Sequence, residues 1–97
     1  MENEIEMENE LNIIDQNFQE AVRNINNLNY KPSDDELLKL YGLYKQSLFG
    51  DNNTEKPGFF HFRANKKWNT WVENSGKSKQ KAKKEYTSYA KEIIFKQ

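Results

Sequence analysis

Apolar residues recur at steps of three and four along much of this chain, and that spacing is the feature that most constrains its fold. Steps of three and four place side chains on one face of an α-helix. No segment alternates polar and apolar residues with a period of two, as a strand exposed on one face would. The chain is therefore predicted to be all-α. The first such stripe consists of Leu11, Ile14, Phe18, Val22, Ile25 and Leu28.

Four helices are predicted from these stripes and from the residues at their ends. Pro32 closes the first helix, because the residue before a proline avoids the α region. Ser33 and Glu36 form the capping-box pattern that starts the second, and Gly50 is of the residue type that most often ends a helix. The predicted spans are roughly residues 11–28, 34–49 and 62–74, followed by a fourth helix that begins after Ser78.

The segment between the second and third helices is long for so small a protein. Residues 50–61 contain two glycines and one proline and show no helical period. Helix connections in bundles usually take about two to eight residues. With four helices in 97 residues, the chain is predicted to form one small helical bundle with a long connection between helices 2 and 3.

Charge divides the chain into two parts. Residues 1–20 hold seven acidic residues and no base, whereas residues 21–97 hold all 15 bases and eight acids. Because the N-terminal segment repeats Met-Glu-Asn-Glu, residues 1–12 are expected to be a mobile acidic extension of a domain spanning residues 13–97. The basic body favours an anionic partner, namely nucleic acid, lipid head groups or a phosphorylated small molecule. A solvated surface without a ligand is the alternative.

Several kinds of chemistry are excluded or disfavoured by the composition. The chain has no cysteine and one histidine, His61, and it lacks the Gly-x-Ser-x-Gly motif of serine hydrolases. No residues have metal-ligand spacing, so neither an enzyme nor a metal-binding protein is expected. The longest apolar run, residues 93–95, is too short to cross a membrane, and the N-terminus lacks a secretory signal. A cytoplasmic monomer is therefore expected.

Two groups of side chains could bind an anion. Tyr41, Tyr44 and Lys45 share one face of the second helix, where phenol rings could stack on a base while hydroxyl and ammonium groups donate to phosphate oxygens. The alternative is that both tyrosines belong to the core and the lysine is solvated. The lysines at positions 77, 79, 81, 83 and 84 could form a nucleic-acid patch, but on a helix they spread around the cylinder, which favours a solvated surface.

Four motifs follow one another along the chain: Lys31-Pro-Ser-Asp-Asp-Glu-Leu-Leu38, Leu40-Tyr-Gly-Leu-Tyr-Lys-Gln46, Gly50-Asp-Asn-Asn-Thr-Glu-Lys-Pro-Gly58 and Lys67-Trp-Asn-Thr-Trp71. In order and spacing they resemble the acyl-CoA-binding protein family, without gaps from about Phe18 to the C-terminus. The Tyr-x-x-Tyr-Lys-Gln block and the Gly-Asp-x-x-Thr-x-x-Pro-Gly loop are each fairly specific. Their presence together at the right separation makes the resemblance strong.

The resemblance implies an up-down-down-up four-helix bundle in which residues 13–97 form an acyl-CoA-binding domain. It also implies a ligand head-group site, for adenine and the 3′-phosphate, and a separate surface for the acyl chain. By similarity the head group would be bound by Tyr41, Tyr44, Lys45, Lys67 and Tyr86, with Asn26 and Lys31 as further candidates. The acyl chain would contact Phe18, Ala21, Val22, Leu37 and Leu38.

The function implied by the resemblance is intracellular binding, buffering and transport of medium- and long-chain fatty acyl-CoA esters in lipid metabolism. Acyl-CoA is the ligand, no cofactor is implied, and acyl-CoA-using enzymes or membranes would deliver and receive it. The alternative is an adaptor that binds anions or nucleic acid through the basic body; the first interpretation expects no nucleic-acid partner. The chain departs from the family at Asn26, where many members carry lysine, and at Phe59-Phe60-His61, which is bulkier than the usual loop segment.

Overall fold

The computed structural model describes residues 4–96 and contains four α-helices within that range. No strand occurs among these residues, and the prediction of an all-α fold is confirmed. The helices are α1 (Glu4–Asn26), α2 (Asp34–Phe49), α3 (Phe62–Val72) and α4 (Lys79–Phe95).

Helix α2 has the bounds that its end residues predict. The Ser33 hydroxyl accepts from the backbone N–H of Glu36 at 3.1 Å, and the Glu36 carboxylate accepts from the backbone N–H of Ser33 at 2.9 Å. The bond from Ser33, with further help from Lys96, lowers the pKa of Glu36. At the other end, Gly50 has a φ of 75°, a left-handed value that favours glycine.

Helices α1 and α3 differ from their predicted spans. α1 begins at Glu4 rather than near residue 11 and ends at Asn26 rather than residue 28. Its first turns carry glutamates, which are good helix formers and favourable near a helix N-terminus, so the helix extends beyond the part that packs. α3 ends at Val72 rather than residue 74, because the next residues continue with i→i+3 hydrogen bonds. Mobility of residues 1–12 stays a prediction, and residues 1–3 lie outside the described range.

Helices α1 and α4 run in the same direction. The Lys83 ammonium is 2.7 Å from the Asp15 carboxylate, and the ring of Phe18 packs edge-on against Tyr86. Residue numbers therefore rise together along the two helices. This contact leaves the first turns of α1 beyond the start of α4, where they are exposed.

Helices α2 and α4 run in opposite directions. The start of α2 meets the end of α4, since the Lys96 ammonium is 3.6 Å from the Glu36 carboxylate. Further along α2, Tyr44 lies against Tyr86, which comes earlier in α4. α4 thus packs between α1, which is parallel to it, and α2, which is antiparallel.

Helices α2 and α3 are parallel, which requires the long connection between them. The Lys67 ammonium lies over the Tyr41 ring, and one to two turns further along both helices Phe49 packs against Trp71. The order of directions is therefore up-down-down-up, as predicted. Gly42 permits the close crossing of α2 and α3, because a Cβ there would lie 2.6 Å from the Thr70 side chain.

Three aromatic rings from three helices form the centre of the core. Phe18 of α1 and Tyr86 of α4 are 5% and 4% exposed, with ring centroids 5.2 Å apart. Tyr44 of α2 lies 6.0 Å from Phe18 and 6.3 Å from Tyr86. Each such ring can bury ~150–250 Å², which allows a chain with 35% apolar residues to close a core. We call these three rings the aromatic cluster.

The loop between α2 and α3 is held in place by tryptophan side chains. Trp71 donates from its indole nitrogen to the Gly50 carbonyl at 2.8 Å, and Trp68 donates to the Thr54 carbonyl at 3.2 Å. Asn52 donates back to the Trp68 carbonyl at 3.4 Å. The loop is therefore tied to α3 along its first five residues.

A second anchor joins the end of α2 to the loop and to the turn before α4. Gln46 is fully buried, and its Nε2 donates to an Asp51 carboxylate oxygen at 2.8 Å and to the Lys77 carbonyl at 2.9 Å. The same Asp51 oxygen accepts from the backbone N–H of Gly76 at 2.8 Å. The Gly76 bond, followed by the Gln46 bond, lowers the pKa of Asp51. We call this set the Gln46 network.

Replacing Gln46 with leucine should lower the free energy of unfolding by about 1–3 kcal/mol. The substitution keeps the volume but removes the side-chain donor to the Lys77 carbonyl and one of the two donors to the Asp51 carboxylate. Urea denaturation followed by circular dichroism measures the change. The control is Gln16→Leu on an exposed face of α1, which should stay within about 0.5 kcal/mol of the wild type. Equal stability of the two variants would contradict the role of the network.

Candidate functional site

Two adjoining hollows form a groove bordered by α1, α2 and α4, and they share Val22 and Tyr44. The larger encloses about 390 Å³ and the smaller about 240 Å³. We call the pair the α1–α2 groove. The larger is also lined by Asp15, Phe18, Gln19, Arg23, Leu48 and Lys83, and the smaller by Ile25, Asn26, Leu37, Leu40, Tyr41 and Tyr86.

The floor of this groove is the aromatic cluster. Phe18 and Tyr44 line the larger hollow, while Tyr44 and Tyr86 line the smaller one. Burial, with a smaller contribution from the neighbouring Tyr44, raises the pKa of Tyr86 to about 12. The Tyr86 phenol is therefore neutral at physiological pH and able to donate a hydrogen bond.

Two lysines place their charges against aromatic faces beside the smaller hollow. The Lys67 ammonium lies 4.6 Å from the centroid of the Tyr41 ring, and the Lys45 ammonium lies 6.0 Å from it. Lys45 is also 4.5 Å from the Phe49 centroid and 4.9 Å from that of Trp71. These cation–π contacts hold both ammonium groups near Tyr41, beside the smaller hollow.

Neither Lys45 nor Lys67 has a carboxylate partner within residues 4–96, although other lysines do. Lys77 pairs with Glu85 at 3.0 Å and Lys83 with Asp15 at 2.7 Å. Two half-buried ammonium groups held close to one ring without a counter-charge attract an anion. An aromatic face beside them can stack on a planar base, so the arrangement suits a ligand that carries both.

Most of the residues predicted for the head group come together in the structure. Tyr41, Tyr44 and Tyr86 line the groove, and so does Asn26, which is exposed at its edge. Lys45 and Lys67 adjoin it through Tyr41, as described above. Lys31 is exposed after the end of α1 and lines neither hollow. The binding roles themselves stay predictions.

The residues predicted for the acyl chain are divided between clefts. Phe18, Val22 and Leu37 line the α1–α2 groove. Leu38 instead lines a cleft of about 630 Å³ bordered by α2, α3 and α4, and Ala21 lines a hollow of about 240 Å³ between α1 and α4. Adjacent residues such as 37 and 38 point about 100° apart around a helix, which separates their surroundings.

Sequence reasoning missed two cations in the groove. Arg23 and Lys83 line the larger hollow, where the Lys83 ammonium also lies 5.9 Å from the Phe18 ring. Arg23 stands three residues before Asn26 and Lys83 three residues before Tyr86, so each shares a helix face with a predicted site residue. The sequence contains this spacing, but only the packing of α1 on α4 shows that Arg23 and Lys83 line the groove. Trp71 was missed as a support for Lys45.

The lysines between positions 77 and 84 do not form one continuous basic face. Lys77 binds the Asn74 side chain and Glu85, and Lys83 binds Asp15. Lys84 lines the cleft between α2, α3 and α4 among several carboxylates. Within residues 4–96, no group of three or more His, Asp or Glu side chains is placed to hold a metal ion. None of the helices described is long and apolar enough to span a bilayer.

Residues 15–90 include every residue that lines the α1–α2 groove, and they match the family model described as Acyl CoA binding protein. The chain belongs to the acyl-CoA-binding protein family. The prediction made from the four motifs is thereby confirmed. The names of the family and of the relatives below describe binding and name no reaction, in agreement with the expectation that the chain is not an enzyme.

Relatives of the chain cover nearly the same length. Acyl-CoA-binding protein 2 of Saccharomyces pastorianus is 48% identical over 84 residues, which are 87% of this chain and 97% of that protein. Acyl-CoA-binding protein homolog 1 of Caenorhabditis elegans is 44% identical over 79 residues, 81% of this chain and 92% of that protein. The similarity therefore covers nearly the whole length of each relative.

Solved structures of the family share the fold. The crystal structure of Oryza sativa Acyl-CoA-Binding Protein 2 superposes with a TM-score of 0.81 at 32% identity, covering 86% of this chain and 92% of that one. The solution structure of Acyl Coenzyme A Binding Protein from yeast gives a TM-score of 0.67 at 47% identity, covering 81% and 92%. These likenesses confirm the prediction of a four-helix bundle.

Replacing Tyr86 with phenylalanine should flatten the loss of stability at alkaline pH. In the unfolded chain this phenol ionises near its ordinary pKa of 10, whereas in the fold its pKa is about 12. Between these values the unfolded state releases the proton first, so the free energy of unfolding falls as the pH rises. Urea denaturation of both proteins at several pH values from about 9 to 12 measures the two slopes. Identical slopes above pH 10 would show that Tyr86 titrates normally.

Proposed function

We propose that this protein binds long-chain fatty acyl-CoA esters, carries them, and releases them unchanged. The observation that carries the proposal is the pair of lysines, Lys45 and Lys67, held against Tyr41 beside an apolar groove. A CoA ester has the matching chemistry, because its head contains an adenine and several phosphates and its tail is an alkyl chain. Membership in the family supports the same ligand.

In the proposed complex the head group binds at the end of the groove nearest Tyr41. Lys45 and Lys67 donate to the 3′-phosphate, and charge-assisted bonds of this kind are about twice as strong as neutral ones. Tyr41 and Tyr44 offer ring faces for the adenine, and Tyr86 supplies a neutral hydroxyl. Arg23 stands three residues before Asn26 on α1, and in the proposed complex it supplies the positive charge that Asn26 lacks.

The apolar part of the groove would receive the beginning of the acyl chain. Burial of one methylene contributes ~0.8 kcal/mol, so fourteen methylenes would give on the order of 11 kcal/mol before the cost of ordering the ligand. Phe18, Val22 and Leu37 are the side chains that the groove offers. The assignment of Ala21 and Leu38 to the acyl chain stays a prediction, since they line other clefts. No acid–base pair or nucleophile is invoked, because a carrier leaves the thioester intact.

Lys45→Gln and Lys67→Gln should each weaken palmitoyl-CoA binding by roughly 1.5–3 kcal/mol, the range for a hydrogen bond to a charged group. Glutamine keeps most of the side-chain length and removes the charge, so the fold should be unaffected. Isothermal titration calorimetry measures the affinity. The matched control is Lys81→Gln, an exposed lysine on α4 outside both hollows, which should bind as the wild type does. Wild-type affinity in both site variants would overturn the head-group assignment.

A series of acyl-CoA lengths should separate a carrier from an anion-binding adaptor. Affinity should rise by up to ~0.8 kcal/mol per methylene and then level off where the groove ends. Free CoA and free palmitate should each bind far more weakly, since each lacks one half of the ligand. An adaptor would ignore the tail and lose its binding steeply with added salt. Calorimetry of the series at two salt concentrations decides between them, and an affinity independent of chain length would exclude the carrier.

A further inference from the structure

Three phenylalanines are exposed together where the long connection enters α3. Phe59 and Phe60 are each 80% exposed, and Phe62, the first residue of α3, is 67% exposed. The rings of Phe59 and Phe60 meet edge to face with centroids 5.2 Å apart. We call residues 59–62 the phenylalanine tip. Exposed aromatic side chains in one cluster mark a surface that meets an apolar partner.

The backbone of the tip is fixed, so its rings are held outward. The backbone N–H of His61 donates to the Gly58 carbonyl at 3.0 Å, which closes a turn with Phe59 and Phe60 at its centre. The Asn65 side chain donates to both the Gly58 and the His61 carbonyls at 2.9 Å, and so ties this turn to the first turn of α3. The tip is a structured projection of the bundle.

Basic residues flank the phenylalanine tip in the sequence. Lys56, Arg63 and Lys66 are all exposed, and none of the three has a carboxylate within ion-pair distance in residues 4–96. Glu55 is the one acidic residue between positions 55 and 67. An apolar turn flanked in the sequence by exposed basic residues is complementary to a bilayer whose surface carries anionic head groups.

The tip lies at the end of the bundle that the smaller hollow of the groove reaches, through Ile25 and Asn26 at the end of α1 and Leu37 near the start of α2. α2 and α3 begin at this end, and α1 and α4 finish there, since the bundle runs up-down-down-up. Lys67 follows Phe62 by five residues, which is about 7.5 Å along a helix axis. The exposed Phe95 stands at the C-terminus of α4 at the same end.

We propose that the phenylalanine tip docks the protein on membranes that contain anionic lipid, with Phe59 and Phe60 inserted among the acyl chains and the three basic residues on the head groups. This inference builds on the proposed function, because docking would turn the Tyr41 end of the groove toward the bilayer in which acyl-CoA partitions. A protein partner fits the tip less well. Specific protein interfaces use about 20–30 residues on each side, whereas the tip is a convex turn of four residues.

The experiment compares the wild type with the double variant Phe59→Ser/Phe60→Ser. Co-sedimentation is measured with sucrose-loaded vesicles of phosphatidylcholine, alone and mixed with phosphatidylglycerol. The wild type should bind the mixed vesicles, and the double variant should bind them roughly tenfold or more weakly, because two buried rings are lost. Phe59→Leu/Phe60→Leu keeps the apolar volume and should stay within about threefold of the wild type. Equal binding by the wild type and the serine variant would overturn the inference.

Two controls distinguish membrane docking by the tip from other roles of the same residues. Ile13→Ser replaces an exposed apolar residue of α1 away from the tip and should bind vesicles as the wild type does. Palmitoyl-CoA affinity measured without vesicles should be unchanged in the serine variant, since neither ring lines the groove. A loss of acyl-CoA affinity with unchanged vesicle binding would assign the tip to the ligand site and refute docking. A wild-type dimer that the serine substitutions dissociate, without any vesicle binding, would assign the tip to self-association instead.

Discussion

The meeting of Phe18, Tyr44 and Tyr86 is the contact on which the rest of this structure depends. The side chains of α1, α2 and α4 meet at this point, with ring centroids 5.2 to 6.3 Å apart. The three large rings fill the volume that aliphatic side chains would fill in a chain with more of them. The same rings form the floor of the α1–α2 groove. The core and the proposed binding surface therefore share one cluster, and a change that alters the groove floor also alters the packing of three helices.

The third helix is attached by different means. α3 packs on α2 alone, through the close approach at Gly42, and the connection that brings it there is fixed by hydrogen bonds from buried or half-buried polar groups. The indole of Trp71 donates to the Gly50 carbonyl of a loop that has no regular structure, and the Gln46 network ties the Asp51 side chain of that loop to the turn before α4. Because α3 supplies Lys67 and Trp71 supports Lys45, these polar bonds set the distance between the two cations and the Tyr41 ring. The site thus depends on the loop as much as on the aromatic core.

The sequence predicts the features that local chemistry determines. The capping box at Ser33 and Glu36 and the glycine at position 50 gave the bounds of α2 correctly, since each acts within one turn of its own helix. The start of α1 was predicted too late, because an apolar stripe detects the packed part of a helix and glutamates extend it without packing. The family resemblance also assigned Tyr41, Lys45 and Lys67 to one site. It could not bring in Arg23 and Lys83, whose place in the groove follows from the register of α1 against α4. Nor could it tell that Leu38 faces a different cleft from Leu37.

The arrangement of charge links ligand binding to stability. Lys45 and Lys67 lie within 6.0 Å of one ring and repel each other, and the quadrupole of that ring offsets only part of the repulsion. Carboxylates neutralise Lys77 and Lys83 elsewhere in the bundle. In the part of the chain that the structure describes, no carboxylate pairs with Lys45 or Lys67 in the same way. A carboxylate at this point would stabilise the free protein and compete with a phosphate for the same donors. An anionic ligand that fills the position relieves the repulsion only in the folded state, because only the fold brings the two ammonium groups together. Binding at the proposed site would therefore stabilise α3 against α2, the helix pair that the aromatic cluster does not hold.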